Sequence, residues 1–104
     1  MSQFIFAYHG GKRPETPEEG EKVMAQWNAW FGTMGDDLIV PGAPLGMSKT
    51  VDDSSITDDG GANPLSGYSV VAAESIEVAC EMAKGCPMVQ DHSGSVEVAE
   101  ILEM

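Results

Sequence analysis

The chain has 104 residues, 42% of them hydrophobic, which predicts one folded domain over residues 1–104 whose core needs no disulfide or metal. Its 17 acidic and 5 basic residues give a formal net charge of −12, which repels phosphate backbones and anionic lipid surfaces. Nucleic acid and membrane are therefore not expected as partners. Cys80 and Cys86 match no redox or zinc spacing, and no leader-like or membrane-spanning segment stands out, so a cytoplasmic protein with free thiols is predicted.

Residues 3–9 predict a first strand that is apolar on both faces. The two rows of side chains are Phe4, Phe6 and Tyr8, and Ile5, Ala7 and His9. Gly10 and Gly11 end the strand. Both faces of this strand therefore need to be covered by other parts of the structure.

The first helix has a strong start signal. Thr16 is the predicted N-cap, Pro17 occupies the first helical position, and Glu19 completes a capping box. An apolar stripe at helical spacing then runs through Val23, Trp27, Trp30, Phe31 and Met34. Gly35 supplies the left-handed residue that ends the helix.

The remaining segments predict two main strands with a short edge strand between them, then a helix and a final strand. Before the helix, the chain is predicted to form a strand at Asp37–Val40, a loop at Pro41–Gly46, a short edge strand within Ser48–Thr57, a turn at Asp58–Pro64 and a strand at Tyr68–Ala73. Ser75 caps the helix, which is predicted to bury one face made of Ile76, Ala79, Cys80 and Ala83 and to stop before Pro87. The final strand is Ser95–Leu102. The main order, β-α-β-β-α-β, is typical of an α+β ferredoxin-like split βαβ sandwich with an antiparallel sheet. Two helices cover only one face of such a sheet. We therefore expect a homodimer through the other face.

His9 is the leading candidate for acid–base chemistry, because a histidine at a strand end beside two glycines can reach a cleft and titrate near neutral pH. The alternative is a strand-end histidine with a structural role. Tyr8, Trp27, Asp91 and His92 complete the candidate ligand-binding set, although Trp27 is also suited to the core.

Metal and cofactor sites are not predicted. The acidic pairs at Asp52 and Asp58 lack the ligand spacing of a calcium loop, and the Gly60-Gly61 turn lacks the strand-to-helix setting of a phosphate loop. Cys86 follows a helix C-terminus, where the negative end of the helix dipole disfavours a thiolate.

Five segments together resemble the YCII-related family, nearest its DGPF-type branch. They are Tyr8-His9-Gly10-Gly11, the helix with Trp27, Trp30 and Phe31, Asn63-Pro64-Leu65-Ser66-Gly67-Tyr68, Lys84-Gly85-Cys86-Pro87, and Gly94-Ser95-Val96-Glu97-Val98. The resemblance runs from end to end of the chain. It implies a dimeric α+β barrel in which two sheets pack face to face, with a small-molecule cleft between helices and sheet.

The chain departs from this family at the residues associated with catalysis. Some members have a His–Asp pair, with His on the first helix and Asp before a Pro that follows the second helix. Residues 17–34 contain no histidine, and Cys86 precedes Pro87. The name motif is altered too, because Asp59-Gly60 is followed by Gly61-Ala62.

Two functions from different classes remain open. The favoured one is a dimeric module that binds a small molecule or a partner protein, because the His–Asp pair is absent. The other is a small-metabolite enzyme of lyase or isomerase type that uses His9 as general acid or base, with Tyr8, Asp91 or His92 nearby. The location of His9 discriminates between them: a concave pocket shared with a carboxylate favours catalysis, and a solvent-facing position favours the module.

Overall fold

The computed structural model describes residues 1–103, which form one four-stranded sheet, a short hairpin and three helices. The strands are β1 (Ser2–Gly10), β2 (Leu38–Pro44), β3 (Thr50–Val51), β4 (Ile56–Thr57), β5 (Leu65–Ala73) and β6 (Gly94–Glu100). The helices are α1 (Pro17–Met34), α2 (Ile76–Ala83) and α3 (Pro87–Gln90), and a 3-10 turn at Gly35–Asp37 follows α1. No helix within residues 1–103 has the length and apolar character needed to cross a bilayer.

The main sheet has the order β2-β5-β1-β6, and all of its neighbouring strands are antiparallel. Since β1 and β2 both run antiparallel to β5, they are parallel to each other, and α1 forms the crossover between them. The crossover from β5 to β6 contains α2 and α3. This topology confirms the predicted α+β, ferredoxin-like split βαβ sandwich.

The core lies between the helices and one face of the sheet. Phe4 and Phe6 of β1 are almost completely buried there, and the Phe6 ring stacks on Trp30 of α1 with ring centroids 6.0 Å apart. Trp30 also donates its indole N–H to the carbonyl oxygen of Met82, 3.0 Å away. This bond connects α1 to α2 across the core.

The local signals at both ends of α1 are confirmed. Thr16 Oγ1 accepts a hydrogen bond from the backbone N–H of Glu19 at 3.1 Å, and Gly35 has a φ of 54°. One detail of the predicted capping box differs, because the Glu19 carboxylate accepts from the N–H of Glu15 rather than from that of Thr16. The helix therefore begins and ends where its sequence predicts.

The predicted loop at Pro41–Gly46 is wrong in its first half, because β2 continues through Pro44. The pairing of β2 with β5 shifts in register between Leu38 and Val40 and again between Val40 and Ala43, and the second shift accommodates Pro41 and Gly42 as bulged residues. A proline has no N–H to donate, but an edge strand can place it where no ladder bond is needed.

Three further segments differ from their predictions. Ser48–Thr57 does not add an edge strand to the main sheet, and instead forms the separate β3–β4 hairpin. Pro87 was predicted only to prevent the continuation of α2, but it also begins the next helix, because it occupies the first turn of α3. In α2 only Ala79 and Ala83 of the predicted face are buried, whereas Ile76 and Cys80 are exposed, because a helix of 8 residues covers the sheet with a narrow stripe.

The helices leave one face of the sheet bare, which we call the open face. It consists of Ile5, Ala7, Tyr68, Val70, Glu97 and Ala99, which neighbour one another in the strand registers. The apolar members on β1 and β5 are half-buried by their neighbours, and Ala99 is exposed. The two rows of β1 are thus resolved: Phe4, Phe6 and Tyr8 face the helices, and Ile5 and Ala7 face away.

Candidate functional site

A cleft of about 360 Å³ lies between α1 and the β2–β5 edge of the sheet. We call it the aromatic cleft, because the rings of Tyr8, Trp27 and Phe31 line it. The apolar stripe of α1 positions the latter two, and the alternation of β1 turns Tyr8 to the same side. The remaining lining residues are Val23, Met24, Asn28, Pro41, Gly42, Ala43, Pro44, Ser66, Gly67, Tyr68 and Met88.

The aromatic rings form a connected wall. Trp27 meets Tyr8 edge-on with centroids 5.0 Å apart, and it meets Phe31 at 5.8 Å in the same manner. Trp30 lies behind them, 6.2 Å from Tyr8 and 5.5 Å from Trp27. Edge-to-face packing at these distances stabilises a fixed arrangement of rings, so the wall is preformed.

The polar atoms of the cleft are few and placed by the strands. Tyr8 donates its hydroxyl to Ser69 Oγ at 2.7 Å, and Ser69 Oγ donates in turn to the carbonyl oxygen of Pro41 at 2.6 Å. The Tyr8 hydroxyl proton is used in the bond to Ser69, so the Tyr8 oxygen can contact a ligand only as a hydrogen-bond acceptor, through its lone pairs. A bulge in the β1–β5 pairing at Tyr8 and His9 adds one residue, Ser66, which also lines the cleft.

Burial raises the pKa of the Tyr8 hydroxyl well above its usual range, and the bond to Ser69 offsets only part of this effect. Burial likewise raises the pKa of the Cys86 thiol. There is therefore a pH range in which both groups are protonated in the folded protein and ionised in the unfolded chain. Their contribution to stability is complete below the unfolded pKa values and is lost as pH rises above them.

This linkage predicts an alkaline loss of stability with a defined origin. Above about pH 10, the unfolding free energy should fall by up to about 1.4 kcal/mol per pH unit through Tyr8, in addition to the fall through Cys86 that begins lower. In the Tyr8→Phe protein the slope above pH 10 should be shallower by that amount. Urea unfolding between pH 7 and 11 measures both slopes. The difference in unfolding free energy between the two proteins at pH 7 gives the effect of the lost hydrogen bond without the titration of Tyr8. Equal slopes in the two proteins would contradict the prediction.

His9 lies on the other face of the sheet from the aromatic cleft and does not line it. It is 7% exposed, with Nδ1 at 3.0 Å from the Asn63 carbonyl oxygen and 3.2 Å from that of Pro64. Nε2 lies 2.9 Å from Glu97 Oε1. All three partners are hydrogen-bond acceptors. The His9 side chain therefore connects β1 to β6 and to the loop before β5.

The other candidate residues are divided between different places. Tyr8 and Trp27 meet in the aromatic cleft. Asp91 lies after α3, where its carboxylate accepts from the N–H of Ser93 at 2.9 Å. His92 is exposed in a left-handed turn with a φ of 62° and does not line the aromatic cleft. The aromatic cleft thus brings together two of the five candidates.

Several cleft residues were missing from the sequence prediction. Ser66 lines the cleft as the extra residue of the bulge in β5, and Pro41–Pro44 line it because β2 continues, with bulges, into the segment that was predicted to be a loop. Phe31 was predicted only as a core residue, although its place on the stripe, one turn after Trp27, is the signal that could have found it.

Comparison with known proteins yields a likeness of fold. Neither the family models nor the curated proteins give a match to this chain. Among solved structures, the chain is similar to 5-chloro-2-hydroxyhydroquinone dehydrochlorinase from Burkholderia phenoliruptrix, in complex with 2,5-dihydroxybenzoquinone. The TM-score is 0.58 at 16% sequence identity, over 98% of this chain and 95% of the other. At this identity the likeness establishes the shared α+β fold.

Proposed function

We propose that this protein is a small-molecule-binding module whose ligand carries a planar ring. The observation that carries the proposal is the aromatic cleft, a preformed concavity of about 360 Å³ with three aromatic rings on its wall and few polar atoms. Such a combination is typical of small-molecule sites, in which apolar surface supplies affinity and a few polar groups fix orientation. The free acceptor capacity of Tyr8 and the hydroxyl of Ser66 favour a ring with a hydroxyl or carbonyl substituent.

We further propose that the chain is a divergent member of the YCII-related family. The sequence resemblance and the fold shared with the dehydrochlorinase support this assignment. That enzyme binds a quinone, which is a small planar ring with oxygen substituents. A ligand of this size matches the aromatic cleft.

The open face supports a homodimer as the working form. The apolar neighbours Ile5, Ala7, Tyr68 and Val70 lie together at the centre of the sheet, where no element within residues 1–103 covers them. A second copy would cover this face with an identical face, as an isologous two-fold interface requires.

Catalysis by His9 has less support than binding. His9 does meet a carboxylate, that of Glu97, but it does so on the open face rather than in a concave pocket. The aromatic cleft itself contains no histidine, and the family's His–Asp pair has no counterpart in α1 or before Pro87. A role for His9 as acid or base stays a prediction, and it would need a substrate at the open face.

A matched pair of variants tests the proposed cleft. Met24→Ala removes an apolar side chain from the cleft wall, whereas Met47→Ala makes the same change at an exposed position outside the cleft. We expect Met24→Ala to weaken binding of a ring compound such as 2-naphthol by about 3- to 10-fold, because the ligand loses apolar contact area. Met47→Ala should keep wild-type affinity in the same calorimetric titration.

A thermal-shift screen comes first and identifies the best probe. A ligand at about 100 times its dissociation constant stabilises the fold by roughly 2.7 kcal/mol, a readily measured shift. A library of ring compounds without effect on the unfolding temperature would refute the small-molecule module and favour a partner-binding one. Equal affinity in the two alanine variants would place the ligand outside the aromatic cleft.

A further inference from the structure

A second concavity, a groove of about 1000 Å³, adjoins the aromatic cleft. The loop between β1 and α1 forms one side of it, and the segment around α3 forms the other. The cleft and the groove share five lining residues: Val23, Trp27, Pro44, Ser66 and Met88. A single ligand can therefore extend from one into the other.

The charge of this groove differs from that of the rest of the protein. Three of the 5 basic residues of the chain line it, namely Lys12, Arg13 and Lys22. Within residues 1–103 none of the three forms a salt bridge, whereas Lys49 and Lys84 are paired with Asp58 and Glu81. We call this concavity the basic groove.

The acidic residues of the basic groove are in part already engaged. They are Glu15, Glu19 and Asp91. The Glu19 carboxylate accepts the N–H of Glu15, and the Asp91 carboxylate accepts the N–H of Ser93. Three cations and three carboxylates thus line a groove of a chain whose formal net charge is −12, so the groove is less negative than the rest of the surface and repels an anion less.

Two buried hydroxyls give an independent indication of a ligand. Ser66 Oγ and Ser93 Oγ are the buried side-chain polar atoms within residues 1–103 that lack a hydrogen-bond partner. Both residues line the basic groove, and Ser66 lies where the groove meets the aromatic cleft. Because a buried hydroxyl without a partner destabilises the fold, an acceptor on a ligand would relieve this cost at both positions.

We propose that the basic groove binds a carboxylate carried by the ligand, so that the ligand class is a ring compound with an acidic side group. The ring occupies the aromatic cleft, as in the proposed function on which this inference rests, and Ser66 donates to its oxygen substituent. The carboxylate accepts a hydrogen bond from Ser93 and lies in the field of Lys12, Arg13 and Lys22. Charge-assisted bonds of this kind are stronger than neutral ones, so the acid is selected over its neutral analogue.

A pair of probes with the same ring tests this selection. We expect 2-naphthoate to bind the wild-type protein at least about 10-fold more tightly than 2-naphthamide in calorimetric titrations, and to lose affinity as sodium chloride is raised. The double variant Arg13→Gln/Lys22→Gln should bind 2-naphthoate about 10- to 100-fold more weakly and should bind 2-naphthamide with unchanged affinity. Lys49→Gln/Lys84→Gln removes the same charge outside the basic groove and serves as the matched control.

The outcomes separate this inference from the proposed function. Equal affinity for the two probes, or an equal loss in the two double variants, would overturn the carboxylate site while the aromatic cleft stands. If neither naphthyl probe binds, the cleft proposal fails. Titration with acetate alone then tests whether the basic groove binds a carboxylate. Acetate-induced NMR shifts at the amides of Lys12, Arg13 and Ser93 would support it, and their absence would overturn it.

Discussion

The Gly42→Ala protein is expected to lose about 3 kcal/mol or more of unfolding free energy, near the upper end for a single substitution. Gly42 has a φ of 79°, and an added Cβ would overlap the carbonyl oxygen of Tyr68. Neither the backbone of β2 nor that of β5 can yield without breaking the pairing that follows the bulge. The left-handed backbone alone would cost only about 1–2 kcal/mol in a residue with a side chain.

Gly61 provides the matched control for this prediction. Its φ of 88° is close to that of Gly42, but a Cβ at Gly61 would meet no atom within 4 Å. Gly61→Ala should therefore lose only the backbone term, about 1–2 kcal/mol. Chemical unfolding of the three proteins gives the comparison. Similar losses in the two variants would show that β2 is free to move at Gly42, contrary to the close approach.

Gly42→Ala should also abolish ligand binding at the aromatic cleft. Pro41, Gly42, Ala43 and Pro44 together form the β2 wall of that cleft. A displaced β2 would open the wall and remove the apolar contacts to the ligand. In calorimetry, binding of the ring probe should then fall below detection even at temperatures where the variant remains folded.

The second large effect is expected for the proposed homodimer. Val70→Glu should raise the dimer dissociation constant by about 10³-fold, because each two-fold interface would bury two unpaired carboxylates at its centre. Val70 lies on β5 at the middle of the open face, paired with Ile5 and with Val40. Sedimentation equilibrium over a range of micromolar concentrations measures the constant for both proteins.

Val78→Glu is the control for this substitution, since Val78 lies exposed on α2, on the helix side of the sheet. It makes the same chemical change and should leave the dimer intact. A wild-type protein that is a stable monomer at micromolar concentration would refute the dimer. A Val70→Glu protein that still dimerises with wild-type affinity would place the interface elsewhere on the surface.

The secondary structure was predictable wherever a local rule governed it. Thr16 and Glu19 begin α1 by hydrogen bonds within one turn, and Gly35 ends it by its own backbone conformation. The alternation of β1 likewise specified which residues share a face. The bulges of β2 and β5 escaped prediction, because they depend on the register between two strands that lie far apart in the chain.

The sequence by itself determined the order of elements, the α+β sandwich and the two apolar rows of β1, because these follow from capping, periodicity and turn residues. Only the tertiary structure decided that Tyr8 lines the aromatic cleft while the adjacent His9 contacts Glu97 on the opposite face of the sheet. Neighbouring residues of a strand point to opposite faces, and the helices can cover only one of them. The packing of α1 and α2 thus decided which of two consecutive residues, Tyr8 or His9, a ligand in the cleft can reach.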